Sequence, residues 1–124
     1  MSEIFNSKIL NSTIINGILE INCRDLHQSF DQIKNKVRLI DVRRPDEFNA
    51  ELGHIETAEL FTLGSELTNF LKTADKNQEI IFICRGGVRS ITAFHESVNL
   101  GFTNVANMTG GMMAWNSFQL PTVK

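Results

Sequence analysis

The chain has 124 residues, 21% of them charged, and a formal net charge of −2. That length suits one domain with a proper core, and the near-neutral mixed charge excludes a basic nucleic-acid binder, an acidic tail and a polybasic membrane-surface domain. Its two cysteines, Cys23 and Cys84, are not spaced as a zinc ligand set or a secreted disulfide framework, so reduced thiols with no metal and no cofactor are expected.

The N-terminal stretch "MSEIFNSKILNSTIINGILEI" carries Glu3 and several asparagines where a signal peptide has basic residues and an unbroken apolar run. No segment reaches membrane-spanning length, and a cytoplasmic protein without membrane contact is expected. Asn11-Ser12-Thr13 and Asn107-Met108-Thr109 match the glycosylation sequon, which has no force without a secretion signal. Residues 1–17 are read as an N-terminal extension and 18–121 as one domain. Residues 18–21 alternate like a strand, and Asn22 with Asp25 marks a helix start that continues through Leu26, Phe30 and Ile33. A second strand is predicted over 39–42, and Pro45 opens a short helix over 45–48. Ala58–Phe61 form a third strand, followed by a helical stripe of Leu63, Leu67, Phe70 and Leu71. Ile80–Ile83 are apolar without alternation, as in a strand covered on both faces, so this strand is central. Ile91, Phe94 and Val98 mark the next helical face, which stops near Gly101. Val105 and Ala106 form a last strand before a Gly110-Gly111 turn into a short helix. Alternating strands and helices give an α/β domain with a parallel sheet, in which ligands bind beyond the carboxyl ends of the strands.

Cys84 stands at such an end, in "IIFICRGGVRS". A reactive cysteine needs surroundings that hold negative charge. Gly86 and Gly87 let successive N–H groups converge, the following helix adds its positive end, and Arg85 and Arg89 add fixed cations. A cysteine ending an apolar strand is ordinarily a small buried residue, and the glycine pair and arginines reverse that preference here. Cys23, beside a predicted helix start, is read as packing. Trp115 and Phe118 are read as core residues.

The loop "CRGGVRS" resembles the active-site loop of the rhodanese family, sulfurtransferases that carry sulfur as a cysteine persulfide. "LIDVRRPDEFNAELGHIETA" is similar to the family's first signature and "VANMTGGMMAWNSFQLP" to its C-terminal one, in the family's order. The first departs at Glu56-Thr57, where Pro-Gly or a similar turn is usual, and Leu60–Leu63 lacks a common proline. The resemblance implies a three-layer α/β/α rhodanese-like domain with a five-stranded parallel sheet. It implies Cys84 as the sulfur acceptor, with Arg85, Gly86, Gly87, Val88 and Arg89 lining the substrate cradle. It also implies Asp41, Arg43, Glu47 and His54 as the supporting shell. For these four a structural role is favoured: a strand-end aspartate, an Arg43–Glu47 ion pair and a hydrogen-bonded histidine.

The expected activity moves sulfane sulfur from thiosulfate or a similar donor through a Cys84 persulfide to a thiophilic acceptor: cyanide in an assay, a thiol or a sulfur-accepting protein in the cell. One alternative is a persulfide carrier or docking module for a partner protein; such docking modules typically lack the cysteine. The other is a cysteine-loop phosphatase or arsenate reductase. Those enzymes place five residues between cysteine and arginine, whereas four separate Cys84 from Arg89 here.

Overall fold

The computed structural model describes residues 10–124; residues 1–9 of the expected extension lie outside the described residues. In chain order the elements are β1 (Ser12–Ile15), β2 (Ile18–Ile21), α1 (Cys23–Gln28), α2 (Phe30–Ile33), β3 (Val37–Asp41), α3 (Pro45–Phe48), β4 (Glu59–Leu60), α4 (Ser65–Thr73), β5 (Glu79–Ile83), α5 (Val88–Asn99), β6 (Val105–Met108) and α6 (Gly111–Ser117). The sheet runs β1-β2-β6-β5-β3-β4. Every pairing from β2 to β4 is parallel, as expected. The sheet nevertheless has six strands rather than five, because β1 adds an antiparallel edge. Its signal is Asn16-Gly17, whose positive φ values of 53° and 79° make the two-residue hairpin turn that matches strand twist.

The apolar run of β5 is explained by its position between β6 and β3. Ile80, Phe82 and Cys84 face Leu67 and Leu71 of α4 and Ala93 and Phe94 of α5. Ile81 and Ile83 face the opposite layer, with Leu26, Ile33, Met112 and Trp115. Both faces of β5 are therefore dry, and the domain has the three layers α/β/α. Helices as short as α2 and α3 do not persist in isolation; α2 is held by burial of Ile33 and α3 by hydrogen bonds to its backbone and side chains.

Three local expectations are corrected. The stripe Leu26-Phe30-Ile33 belongs to two helices, because Ser29 leaves the helical region at φ −97°, ψ 3°. The buried face of α5 is Ser90, Ala93, Phe94 and Ser97, while Val98 is 46% exposed. Two serines disguise that face, and Ser97 satisfies itself by donating to the Phe94 carbonyl at 2.7 Å. Phe118 is 42% exposed beneath the Arg24 guanidinium, whereas Trp115 is core and donates from Nε1 to Pro121 O at 2.9 Å. Helix α5 does stop as expected. Gly101, at φ 103°, donates to Val98 O, and Phe102 donates to Ser97 O, which together close the helix end. At the unusual Glu56-Thr57 turn, Thr57 itself takes a φ of 74°.

Candidate active site

Beyond β5 the chain turns through Cys84, Arg85, Gly86 and Gly87 directly into α5. Gly87, at φ 103°, is the residue on which this turn depends, because a side chain there is strained. Its N–H donates to Cys84 Sγ at 3.0 Å. From the first turn of α5, Ser90 Oγ lies 3.3 Å from the same sulfur. Cys84 is 1% exposed, so its sulfur meets the Gly87 N–H and the Ser90 hydroxyl inside the protein rather than water.

The loop is shaped from behind by α6. Met112 N–H donates to Cys84 O at 2.8 Å and Met113 N–H to Arg85 O at 2.9 Å. These bonds hold the carbonyls on α6 while the Gly87 N–H faces the sulfur. The approach needs a residue without a side chain: a Cβ on Gly111 would lie 2.4 Å from Cys84 O and 2.5 Å from Arg85 O. A Cβ on Gly87 would in turn lie 3.3 Å from Gly110 N, so the two glycine turns sit back to back. Sequence reasoning read Gly110-Gly111 only as a turn and passed over Ser90. The available signals were the glycine pair after the last strand and the helical spacing of Ser90 with Ala93, Phe94 and Ser97.

The predicted supporting residues gather beside this loop with different partners from those expected. Arg43 does not pair with the Glu47 carboxylate. It is buried against Asp41, with Nη2 to Oδ2 at 2.8 Å and Nε to Oδ1 at 2.9 Å. The same guanidinium donates to Gly53 O at 2.8 Å and Glu47 O at 3.3 Å, so it ties the strand end to α3 and to the loop that follows it. The physical reason is planarity: a guanidinium at the strand end engages the carboxylate two residues back while its remaining N–H groups reach loop carbonyls. Glu47 instead takes Arg89 in a two-pronged pair at 2.7 and 2.9 Å and accepts the Arg44 N–H at 3.2 Å. The Arg89 hydrogen bonds outweigh the cost of partial burial and hold the Glu47 carboxyl down at about 2; Glu47 in turn raises Arg89 above its usual range.

His54 is a brace. Its Nδ1–H donates to Phe48 O at 2.9 Å, its ring stacks on Phe48 at 3.7 Å between centroids, and its backbone exchanges hydrogen bonds with Val123. Arg85 is exposed, and its guanidinium has no hydrogen bond or ion pair among the described residues. It lines a cavity of about 110 Å³ with Arg43, Asp46, Glu47, Ala50, Glu51 and Leu52. Val88 is 76% exposed at the loop's rim. A separate hollow of about 200 Å³ bordered by His27, Phe30 and Trp115 contains no residue of the loop, so concavity alone does not mark the site. Cys23 lies in the other layer, and burial pushes its thiol up to about 11. Among the described residues, no group of three His, Cys, Asp or Glu is placed to hold a metal ion, and no helix is long and apolar enough to cross a membrane.

Residues 24–118 match the Rhodanese-like domain family. The putative sulfurtransferase YtwF of Bacillus subtilis is 36% identical over 104 residues, 84% of this chain and 96% of its own. The thiosulfate sulfurtransferase GlpE of Vibrio cholerae is 31% identical over 88 residues, 71% of this chain and 80% of its own. The senescence-associated protein DIN1 of Raphanus sativus is 36% identical over 93 residues, 66% of this chain, and the chain spans only 50% of that relative's length. In structure, a rhodanese-like domain protein from Staphylococcus aureus superposes with a TM-score of 0.70 at 28% identity, covering 85% of this chain and 98% of its own. The cysteine loop, the parallel sheet and these likenesses agree, and the chain belongs to the rhodanese-like family.

Proposed function

We propose that the chain is a sulfurtransferase that moves sulfane sulfur from thiosulfate or a similar donor to a thiophilic acceptor through a persulfide on Cys84. The observation that carries this reading is the buried Sγ receiving the Gly87 N–H at 3.0 Å, in a loop whose carbonyls at residues 84 and 85 are held by α6. Such a site suits a sulfur anion. The names of YtwF and GlpE support the same reaction class.

In the first half-reaction the Cys84 thiolate pair attacks the outer sulfur of thiosulfate. The donor's S–S bond breaks with its electron pair, and sulfite leaves. In the second, cyanide or a thiolate attacks the outer sulfur of the persulfide, and the pair of that S–S bond returns to Sγ. Arg85, exposed and unpaired, attracts the anionic donor. Arg89, held on Glu47, braces the loop against α3. The partners are a small-molecule sulfur donor and a thiol or sulfur-accepting protein.

Intact-mass measurement of protein purified without reductant, before and after thiosulfate, tests this reading. Cys84 gains the mass of one sulfur atom and loses it to cyanide. Efficient hydrolysis of aryl phosphates by the unmodified chain, abolished by Cys84→Ser, would put a phosphatase in its place; with four residues between Cys84 and Arg89, that activity is not expected.

A further inference from the structure

We infer that Ser90 is a catalytic residue of this reaction, stabilising Cys84 as the leaving thiolate when the persulfide gives up its outer sulfur. The inference rests on the sulfurtransferase reading above and assigns the two half-reactions opposite dependence on one hydroxyl.

Ser90 is 0% exposed, and its Oγ lies 3.3 Å from Cys84 Sγ. Among the described residues the sulfur is that hydroxyl's sole hydrogen-bond partner. A helical serine commonly satisfies its O–H on the carbonyl one turn earlier; Ser90 does not. A buried O–H is rarely left unmade, so the proton points at Sγ and the oxygen does not accept from it.

The strength of that bond depends on the charge on Sγ. In the free enzyme the thiolate is a charged acceptor, and bonds to charged groups are about twice as strong as neutral ones. In the persulfide the negative charge sits on the outer sulfur, while Sγ is a neutral divalent sulfur and a weak acceptor. Loading therefore removes charge from the atom Ser90 holds, and discharge restores it. A group that stabilises charge on Sγ lowers the free thiolate more than the transition state for loading, and it lowers the transition state for discharge more than the persulfide. No proton is transferred in either step; the hydroxyl only strengthens or relaxes its bond.

The test separates the half-reactions by rapid quench and intact mass, using full-length protein on the alkaline plateau of each rate. Thiosulfate loads the enzyme and cyanide discharges it. Ser90→Ala is expected to load as fast as wild type or faster, and to discharge roughly tenfold more slowly. Ser90→Thr keeps the hydroxyl and discharges within about threefold of wild type. Equal slowing of both steps in Ser90→Ala, unchanged discharge in it, or discharge by Ser90→Thr as slow as by Ser90→Ala would overturn the assignment. Should Ser90→Ala not fold, the threonine variant decides alone: normal loading with slow discharge sinks the inference. A wild type that never gains sulfur removes the sulfurtransferase reading and the inference with it, whereas a loaded wild type with an indifferent Ser90→Ala removes the inference alone.

Discussion

Cys23 and Cys84 are each 1% exposed, and each sits where a strand gives way to a helix, yet their sulfurs meet opposite groups. Cys23 Sγ faces carbonyl oxygens, donating to Thr109 O at 3.5 Å with Gly111 O at 3.9 Å. Cys84 Sγ faces the Gly87 N–H and the Ser90 hydroxyl. One segment serves both sites: the carbonyls of residues 109 and 111 turn toward Cys23, while the N–H groups of Met112 and Met113 take the carbonyls of the Cys84 loop. At Cys23 burial pushes the thiol up to about 11. The polarity of the nearest backbone, rather than exposure, separates the packing cysteine from the proposed nucleophile.

The sharpest way to break this contrast is to exchange the thiols. Cys84→Ser is expected to lower thiocyanate formation by roughly a thousandfold or more, while Cys23→Ser keeps turnover within about twofold and loses about 1 kcal/mol of stability in denaturant titration. Wild-type turnover in Cys84→Ser would reverse the roles of the two residues. The next effect concerns the shared segment. Gly111→Ala drives a methyl group into the carbonyls of Cys84 and Arg85, and should cost about 2–3 kcal/mol and lower sulfur transfer at least tenfold. Stability and turnover both equal to wild type would show that the loop does not depend on α6.

Smaller effects distinguish the two arginines. Arg85→Ala raises KM for thiosulfate about tenfold with little change in kcat, and the difference shrinks as salt is added. Arg89→Ala and Glu47→Gln instead lower stability and kcat together, because each breaks the pair between α5 and α3. A KM effect confined to Arg89→Ala would exchange these assignments. The mildest effect is on pH. Glu47 is held at about 2 against an ordinary 4.5, so its stabilisation is complete above about pH 4.5 and is lost as pH falls toward 2. Discounted for the partly exposed Arg89, it is on the order of 2 kcal/mol. Acid titration of Glu47→Gln should lack that contribution, and a wild type no more acid-sensitive than the mutant in this window would contradict it.

The layers, the parallel sheet and the central place of β5 were legible because each rests on local patterning of apolar residues and turns. The sixth strand was legible too, in Asn16-Gly17, but a four-residue edge with Ile14 and Ile15 exposed carries no core pattern to draw attention to it. In the site, Cys84 and Gly87 stood out because thiol chemistry and left-handed backbone restrict residue type. The partner of Glu47 did not: Arg43, Arg44 and Arg89 are all chemically suitable, and only the folded path of the chain brings Arg89 within 2.7 Å while Asp41 claims Arg43. Ser90 escaped because a serine on a helix face reads as polar until its acceptor, contributed by the preceding strand end, is known. Gly111 escaped for a related reason, since the carbonyls that exclude a side chain there belong to residues far back in the chain.

That distance gives the docking of α6 on the loop a consequence in time. Contacts between residues far apart in sequence form late, after chain closure has been achieved, and synthesis delivers Cys84 before residues 111–113 exist. A nascent or partly folded chain therefore holds the thiol without the amides that fix the carbonyls of residues 84 and 85. The loop of residues 84–87 is fully held only when the last helix docks, so an unfinished chain would gain the proposed sulfur chemistry together with its completed fold.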